Sequence, residues 1–360
     1  AGCCTVTMHY RWLLPALLII TSTTGQSRSG YDEGLARRLI NLAAAAYGTE
    51  YQSCIDRTYS PQQQYYVYGS TTVECDVLRS TCEFFITVSN VTREAIVVFR
   101  GTKTTGQLLV EGWQSDQTGE DFLGMGNVNK YFRRAHDQLW PSVLDFYAHP
   151  EFQNYRITIT GHSLGAALAS LAAARTVKEG YRPGNAVLMY TFGQPRTGSY
   201  PYAMSFDALG IRSYRVVYSS DIIPHSPGCK KDDSVTPLPN GSRQCLAAPS
   251  DNAYHHGIEI WYPQSMLPGS QYIECTGLPR NEDINCSDQL TFDSNASDLY
   301  AYDHRDYFGL FVTGYGKSGC TNTTTSAPPV ETGGGLGSTI RKLVNIVGKR
   351  DLSRLDDVLA

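Results

Sequence analysis

Apolar positions along this chain change period in an ordered way. From Glu33 to Tyr47 they fall at helical spacing, with Leu35, Leu39, Leu42, Ala43 and Ala46 near one face. Two β-rich runs follow, Phe84 to Val88 and Ala95 to Phe99, split by the polar turn Ser89 to Thr92. Tyr131 to Tyr147 returns to a helical period and is expected to kink or restart at Pro141, which lacks an amide donor and crowds the turn before it. A strand from Arg156 to Thr160, a helix from Ser163 to Glu179 and strands from Ala186 to Phe192, Arg212 to Tyr218 and Gly257 to Trp261 come next. Strands alternating with helices predict an α/β fold, a mostly parallel central sheet flanked by helices on both faces.

The two ends depart from this pattern. The first Met is Met8; after it come a basic step at Arg11, an apolar run from Trp12 to Ile20 and small polar residues to Gln26. That run is shorter than the about 20 apolar residues a spanning helix needs, and it reads as a secretory signal peptide cut near Gly25, with Ala1 to Thr7 as upstream extra residues. Residues 1–25 are therefore set aside, and 26–320 are expected to form one domain. Beyond Cys320, residues 321–360 read as a Thr-, Pro- and Gly-rich linker to Gly337 and then a charged, weakly amphipathic tail.

Composition narrows the class. The chain has 360 residues, 41% hydrophobic and 18% charged, which suits a globular domain with a sizeable core. A net charge of -4 gives no electrostatic reason to expect nucleic acid, and no later stretch is long and apolar enough to serve as a transmembrane anchor. Setting aside Cys3 and Cys4, the cysteines are Cys54, Cys75, Cys82, Cys229, Cys245, Cys275, Cys286 and Cys320, an even number scattered among polar loop residues. Short spacings favour Cys75–Cys82, Cys229–Cys245 and Cys275–Cys286, which leaves Cys54–Cys320 to tie the ends of the domain. No Cys-x-x-Cys pair points to a metal. Asn90, Asn240, Asn285, Asn295 and Asn322 are N-glycosylation acceptors by sequence, and with the leader they predict a secreted, extracellular glycoprotein.

The sharpest chemical signal is Gly161-His162-Ser163-Leu164-Gly165, entered from the strand ending at Thr160 and left by an Ala-rich helix. This is the G-x-S-x-G turn in its expected context, where glycines two residues either side of the serine avoid a collision and the hydroxyl is lifted out of the sheet. Ser163 is the candidate nucleophile. His162 is assigned packing, because so sharp a turn points it elsewhere.

A serine hydroxyl needs a base, and the base needs a carboxylate. In this arrangement the chain order is Ser, then Asp or Glu, then His. Asp221 sits at the C-terminal end of the Arg212–Tyr218 strand, the edge where α/β sites are built. His255 and His256, before Gly257, are both candidates for the base, and residue chemistry does not separate them; His304, late in the chain, is held in reserve. The oxyanion hole calls for backbone amides at the developing charge: Leu164 after the nucleophile and Thr102 in Phe99-Arg100-Gly101-Thr102.

Taken together with Phe192-Gly193-Gln194-Pro195-Arg196-Thr197-Gly198, Asp221-Ile222-Ile223-Pro224, His255 through Trp261 and His304-Arg305-Asp306-Tyr307-Phe308-Gly309, these motifs resemble the class 3, fungal-type triacylglycerol lipases over residues 35 to 320. The resemblance implies the α/β-hydrolase fold and makes His255 the base, four residues before Glu259 of a Glu-x-Trp strand. It also implies a disulfide from the N-terminal helix region to the C-terminus, Cys54–Cys320. A short lid is expected after the oxyanion loop, at Lys103 to Ser115, where Leu108, Leu109, Val110 and Trp113 cluster; an apolar flap and a core-packed connection both fit this spacing.

The expected activity is then hydrolysis of lipid carboxylic esters, triacylglycerol-type, through Ser163, His255 and Asp221, with no metal and no organic cofactor. A soluble esterase on the same fold, such as a feruloyl esterase or phospholipase, is the enzymatic alternative. A non-catalytic lipid-binding relative is the other. The oligomeric state is not readable.

Overall fold

The computed structural model describes residue 2 and residues 29–75, 80–102, 119–292 and 297–321, without the side chains of 297–299. The leader, the lid segment, the tail from residue 322, Asn295 and Asn322 lie outside the described residues.

Helix α1, Glu33–Ala45, starts where the Asp32 carboxylate accepts the Leu35 amide at 3.0 Å, and a short α2, Tyr51–Thr58, follows. Strands β1 (Tyr65–Glu74), β2 (Thr81–Ser89) and β3 (Glu94–Phe99) form an antiparallel meander. After the two-residue strands β4 (Glu120–Asp121) and β5 (Asn127–Val128) comes α3, Lys130–Ala148, capped by the Asn129 side chain. Pro141 lies inside α3 and does not end it, contrary to a restart there. The carbonyl it leaves unpaired belongs to Asp137, whose side chain is 43% exposed, so water can take the lost donor's place.

The remaining elements are β6 (Arg156–His162), α4 (Leu164–Lys178), β7 (Val187–Phe192), β8 (Gly198–Ser199), α5 (Tyr200–Ala208), β9 (Arg212–Tyr218), β10 (Ala253–Tyr254), β11 (Ile258–Tyr262), β12 (Ile273–Cys275), α6 (Ser297–Arg305), β13 (Asp306–Tyr307), β14 (Leu310–Phe311) and α7 (Val312–Lys317). The main sheet runs β1-β2-β3-β6-β7-β9-β11-β12. Its centre, from β3 through β11, is parallel, and β12 returns antiparallel at the edge. This is the mostly parallel sheet expected of the alternating pattern and the α/β-hydrolase architecture that the resemblance implied.

Two cores follow from the period-two geometry of the strands. On β3, Ala95, Val97 and Phe99 face a core shared with α3 and α4, while Ile96 and Val98 face the opposite core with Leu39, Ile40 and Ala43 of α1. Disulfides join Cys54–Cys320, Cys75–Cys82, Cys229–Cys245 and Cys275–Cys286. The first brings α2 to the end of the domain across 266 positions of sequence. Asn90, Asn240 and Asn285 are exposed. Among the described residues no helix is long and apolar enough to cross a membrane.

Candidate active site

Strand β6 runs into α4 through a single strained residue. Ser163 has φ 60° and ψ -130°, outside the conformations an L-residue ordinarily adopts, and its amide donates to Phe192 O at 3.0 Å. The flanking glycines make the turn passable. A Cβ on Gly161 would lie 2.3 Å from Gly165 O, and one on Gly165 would lie 2.2 Å from Phe99 O. Ser163 is buried, and its Oγ has no hydrogen-bond partner in the structure.

Asp221 lies just past the C-terminal end of β9 and is fully buried. Its carboxylate accepts the Ile223 amide at 2.9 Å, the Tyr307 hydroxyl at 2.7 Å and His304 Nδ1 at 2.9 Å. Burial alone would raise its pKa. The charge interaction with His304, and the hydrogen bonds from His304, Tyr307 and the Ile223 amide, outweigh burial and hold the carboxylate below its ordinary value. Tyr307, pushed well above its ordinary pKa by burial and by Asp221, remains a donor. The loop carrying the acid is pinned again at Ser220, whose amide and hydroxyl donate to Asp303 Oδ2 at 3.0 and 2.7 Å.

The imidazole on Asp221 is therefore that of His304, at the end of α6, and not that of His255. A carboxylate can only accept, so His304 Nδ1 carries a proton; Nε2 is buried and unpartnered, like Ser163 Oγ. Sheet register brings these atoms to one place. His162 pairs with Phe192 across β6 and β7, so the next residues, Ser163 and Gly193, leave the sheet side by side. Gly193, at φ 57°, lies so close to the acid–base pair that a Cβ there would be 2.7 Å from Asp221 Oδ2 and 2.9 Å from the His304 ring. The imidazole thus lies over the strand end next to the serine.

His162 supports the imidazole from below. Its ring stacks on His304 with centroids 4.6 Å apart, and its Nε2 donates to His304 O at 2.8 Å. Nδ1 must then accept, and the Tyr47 hydroxyl meets it at 2.9 Å. Burial lowers the His162 pKa to about 3, with the neighbouring His304 adding to the shift, so this ring remains neutral.

His255 is drawn elsewhere. Its Nε2 meets Pro224 O at 2.8 Å, its amide donates to Glu282 Oε1 at 2.7 Å, and its Nδ1 has no partner. Burial, with Arg215 and Arg196 nearby, keeps its pKa well below that of a free imidazole. His256 is also structural, with Nε2 2.7 Å from Ser170 Oγ and its ring stacked on Phe206. The Glu-x-Trp strand that singled out His255 serves a buried charge network: Glu259 accepts from Ser287 at 2.6 Å and pairs with Arg215.

The segment leading to Thr102 is held by Arg100, which is buried and ion-paired with Glu83, its amide donating to Glu83 O at 2.9 Å. The next residue, Gly101, lies against the elbow: a Cβ there would be 2.5 Å from His162 O. Thr102 is half-buried beside it. Leu164 opens α4, and a first-turn amide has no acceptor within its own helix. Sequence reasoning held His304 only in reserve and passed over Tyr307, Asp303 and Tyr47. The cluster from Asp303 to Tyr307 was the available signal, three polar groups that each reach the acid loop or its residues.

Among the described residues, two side-chain groups have metal-ligand chemistry, Cys229/Cys245/Asp288 and Glu259/Cys275/Cys286, but in each the two sulfurs are bonded to one another.

A strained serine between strand and helix, beside a buried Asp–His pair over a mostly parallel sheet, defines the architecture of an α/β-hydrolase-fold ester hydrolase. The comparisons with known proteins agree. The profile of the family Lipase (class 3) matches residues 96–231. A lipase of Caenorhabditis elegans is 43% identical over 332 residues, covering 91% of this chain and 94% of that protein. Phospholipase A1-II 1 of Oryza sativa subsp. japonica is 38% identical over 153 residues, 42% of this chain and 38% of its own length. Lipase II of Rhizopus niveus superposes with a TM-score of 0.55 at 23% identity, covering 77% of this chain and 94% of that one. The chain belongs to the class 3 lipases and is a lipase-type carboxylic ester hydrolase.

Proposed function

We propose that the protein hydrolyses lipid esters of the triacylglycerol type through Ser163, His304 and Asp221. The reading rests on one observation above all: His304 gives Nδ1 to a buried carboxylate beside Gly193, the neighbour of Ser163 at the sheet's end, and His304 Nε2 and Ser163 Oγ are both buried without a partner.

In acylation, His304 Nε2 takes the Ser163 proton as Oγ attacks the ester carbonyl. The imidazolium formed is held by Asp221, itself kept ionised by Tyr307 and the Ile223 amide. The Leu164 and Thr102 amides are the donors for the oxyanion, where one such bond is worth about 3 kcal/mol in the transition state. His304 then protonates the departing alcohol. In deacylation it takes a proton from water, which frees the fatty acid and restores Ser163. No metal or cofactor enters the reaction.

The leader-like start, the sequons at Asn90, Asn240 and Asn285 and the four disulfides support secretion. The test is reaction with a p-nitrophenyl organophosphonate followed by peptide mapping. Label is expected on the peptide carrying Ser163 and is expected to vanish in Ser163→Ala together with ester turnover. Unchanged turnover by Ser163→Ala would overturn the mechanism. A sharp gain on emulsified triacylglycerol over short soluble esters separates a lipase from a soluble esterase.

A further inference from the structure

We propose that His255 is a positioning residue that fixes the acid loop, Asp221 to Pro227, by donating a hydrogen bond to the Pro224 carbonyl. This rests on the assignment of Asp221 and His304 above.

The loop sets the carboxylate's direction, because one of the bonds that orient Asp221 comes from within it, the Ile223 amide. What holds the loop is a closed circuit of buried groups. His255 meets Pro224 O at 2.8 Å. A carbonyl only accepts, so Nε2 must carry the ring's proton. The His255 amide donates to Glu282 Oε1 at 2.7 Å, and Glu282 is gripped by Arg196 through two bonds, 2.8 Å from Nε and 2.7 Å from Nη2. Arg196 closes the circuit on the same loop, its amide donating to Ser226 O at 2.9 Å and its Nη1 to Pro227 O at 3.1 Å. Three successive points of the loop are thus tied to one salt-bridged unit, and His255 is the tie nearest the carboxylate. Burial, with Arg215 and Arg196 beside the ring, disfavours a second proton on it, so His255 serves as a fixed donor rather than a base. Misplacing a catalytic group by about 1 Å can cost about 100-fold in rate, which sets the scale of the effect.

A packing role and a positioning role predict different results. His255→Phe keeps the volume and loses the donor; His255→Gln keeps a donor within reach of Pro224. Steady-state kinetics on a soluble p-nitrophenyl ester, normalised to phosphonate-titrated sites, should show kcat roughly 10- to 100-fold lower for His255→Phe with KM within about twofold of wild type. His255→Gln should regain most of the loss at an equal melting temperature. His255→Met supplies the same contrast if the Phe variant does not fold. Undiminished kcat in the donor-less variants, or a Gln variant as slow as Phe at equal stability, overturns the proposal. Failure of Ser163 to take phosphonate in the wild-type protein would instead sink the underlying triad reading, so the two claims are judged separately.

Discussion

The nucleophile side and the base side of this site are built by opposite means. On the nucleophile side everything is local: β6, the elbow and α4 are contiguous in sequence, and Gly161 and Gly165 are demanded by backbone atoms of the same unit and of β3. On the base side nothing is local. His304 reaches Asp221 across 83 positions, held by Tyr307, Asp303 and the rings of His162 and Tyr47, and the segment is tied back to α2 through Cys54–Cys320. A site can therefore have one half that is hard to break without unfolding the protein and another that can lose its alignment while the fold persists.

Removing the Cys54–Cys320 cross-link that ties the base side to α2 should have the largest effect on stability. Closing a loop of 266 positions accounts for about 5 kcal/mol on a chain-entropy estimate. The Cys54→Ser/Cys320→Ser pair should lower the denaturation midpoint accordingly in urea.

The glycines test the contrast directly. Gly165→Ala drives a Cβ into the Phe99 carbonyl and should cost about 3 kcal/mol or more of unfolding free energy. Gly193→Ala meets side chains, those of Asp221 and His304. It should cost about 1 to 2 kcal/mol of stability for its left-handed backbone, with its main effect on kcat. Equal loss of fold in both variants would erase the distinction.

Acid should weaken the fold through its buried histidines. His136, on α3, has neither ring nitrogen partnered; burial, helped by Arg175, lowers its pKa to about 3, and His162 is lowered equally. Unfolded, each protonates near about 6.5, so between that pH and about 3 the unfolded chain binds more protons and stability falls as pH falls. Asp221, held below its ordinary value, adds a loss of the same sign at lower pH still, as its carboxylate protonates. His136→Leu should accordingly improve relative to wild type by about 3 kcal/mol between pH 8 and pH 4 in chemical denaturation. An unchanged difference would show that His136 titrates normally.

A further effect falls on the base side. Tyr307→Phe removes one hydrogen bond to an ionised carboxylate, worth about 1.5 to 3 kcal/mol. It should lower kcat roughly tenfold at unchanged KM.

This difference also explains what was legible in the sequence. The parallel sheet, the elbow and the Asp221 strand end were readable because each is announced within a few residues by its period or its glycines. The base was not. His255 is flanked by a glycine, a strand and an Arg-paired Glu259, a local setting as suggestive as that of His304, and only the three-dimensional path of α6 decides between them. Helix α5 was missed because its buried residues Tyr202, Ala203 and Phe206 are too few to register a period, and β1 because Tyr65 is its only buried position. Pro141 left a kink and a restart both open, and α3 continues through it.

The most direct test of the account compares two histidines. Turnover of a soluble ester should fall by on the order of 10⁴ to 10⁶ in His304→Ala, leaving what oxyanion donors and binding supply, while His255→Ala retains at least about a hundredth of wild-type kcat. A His304→Ala enzyme that still turns over well, or a His255→Ala enzyme as deeply impaired as His304→Ala, would contradict the assignment of His304 as the base.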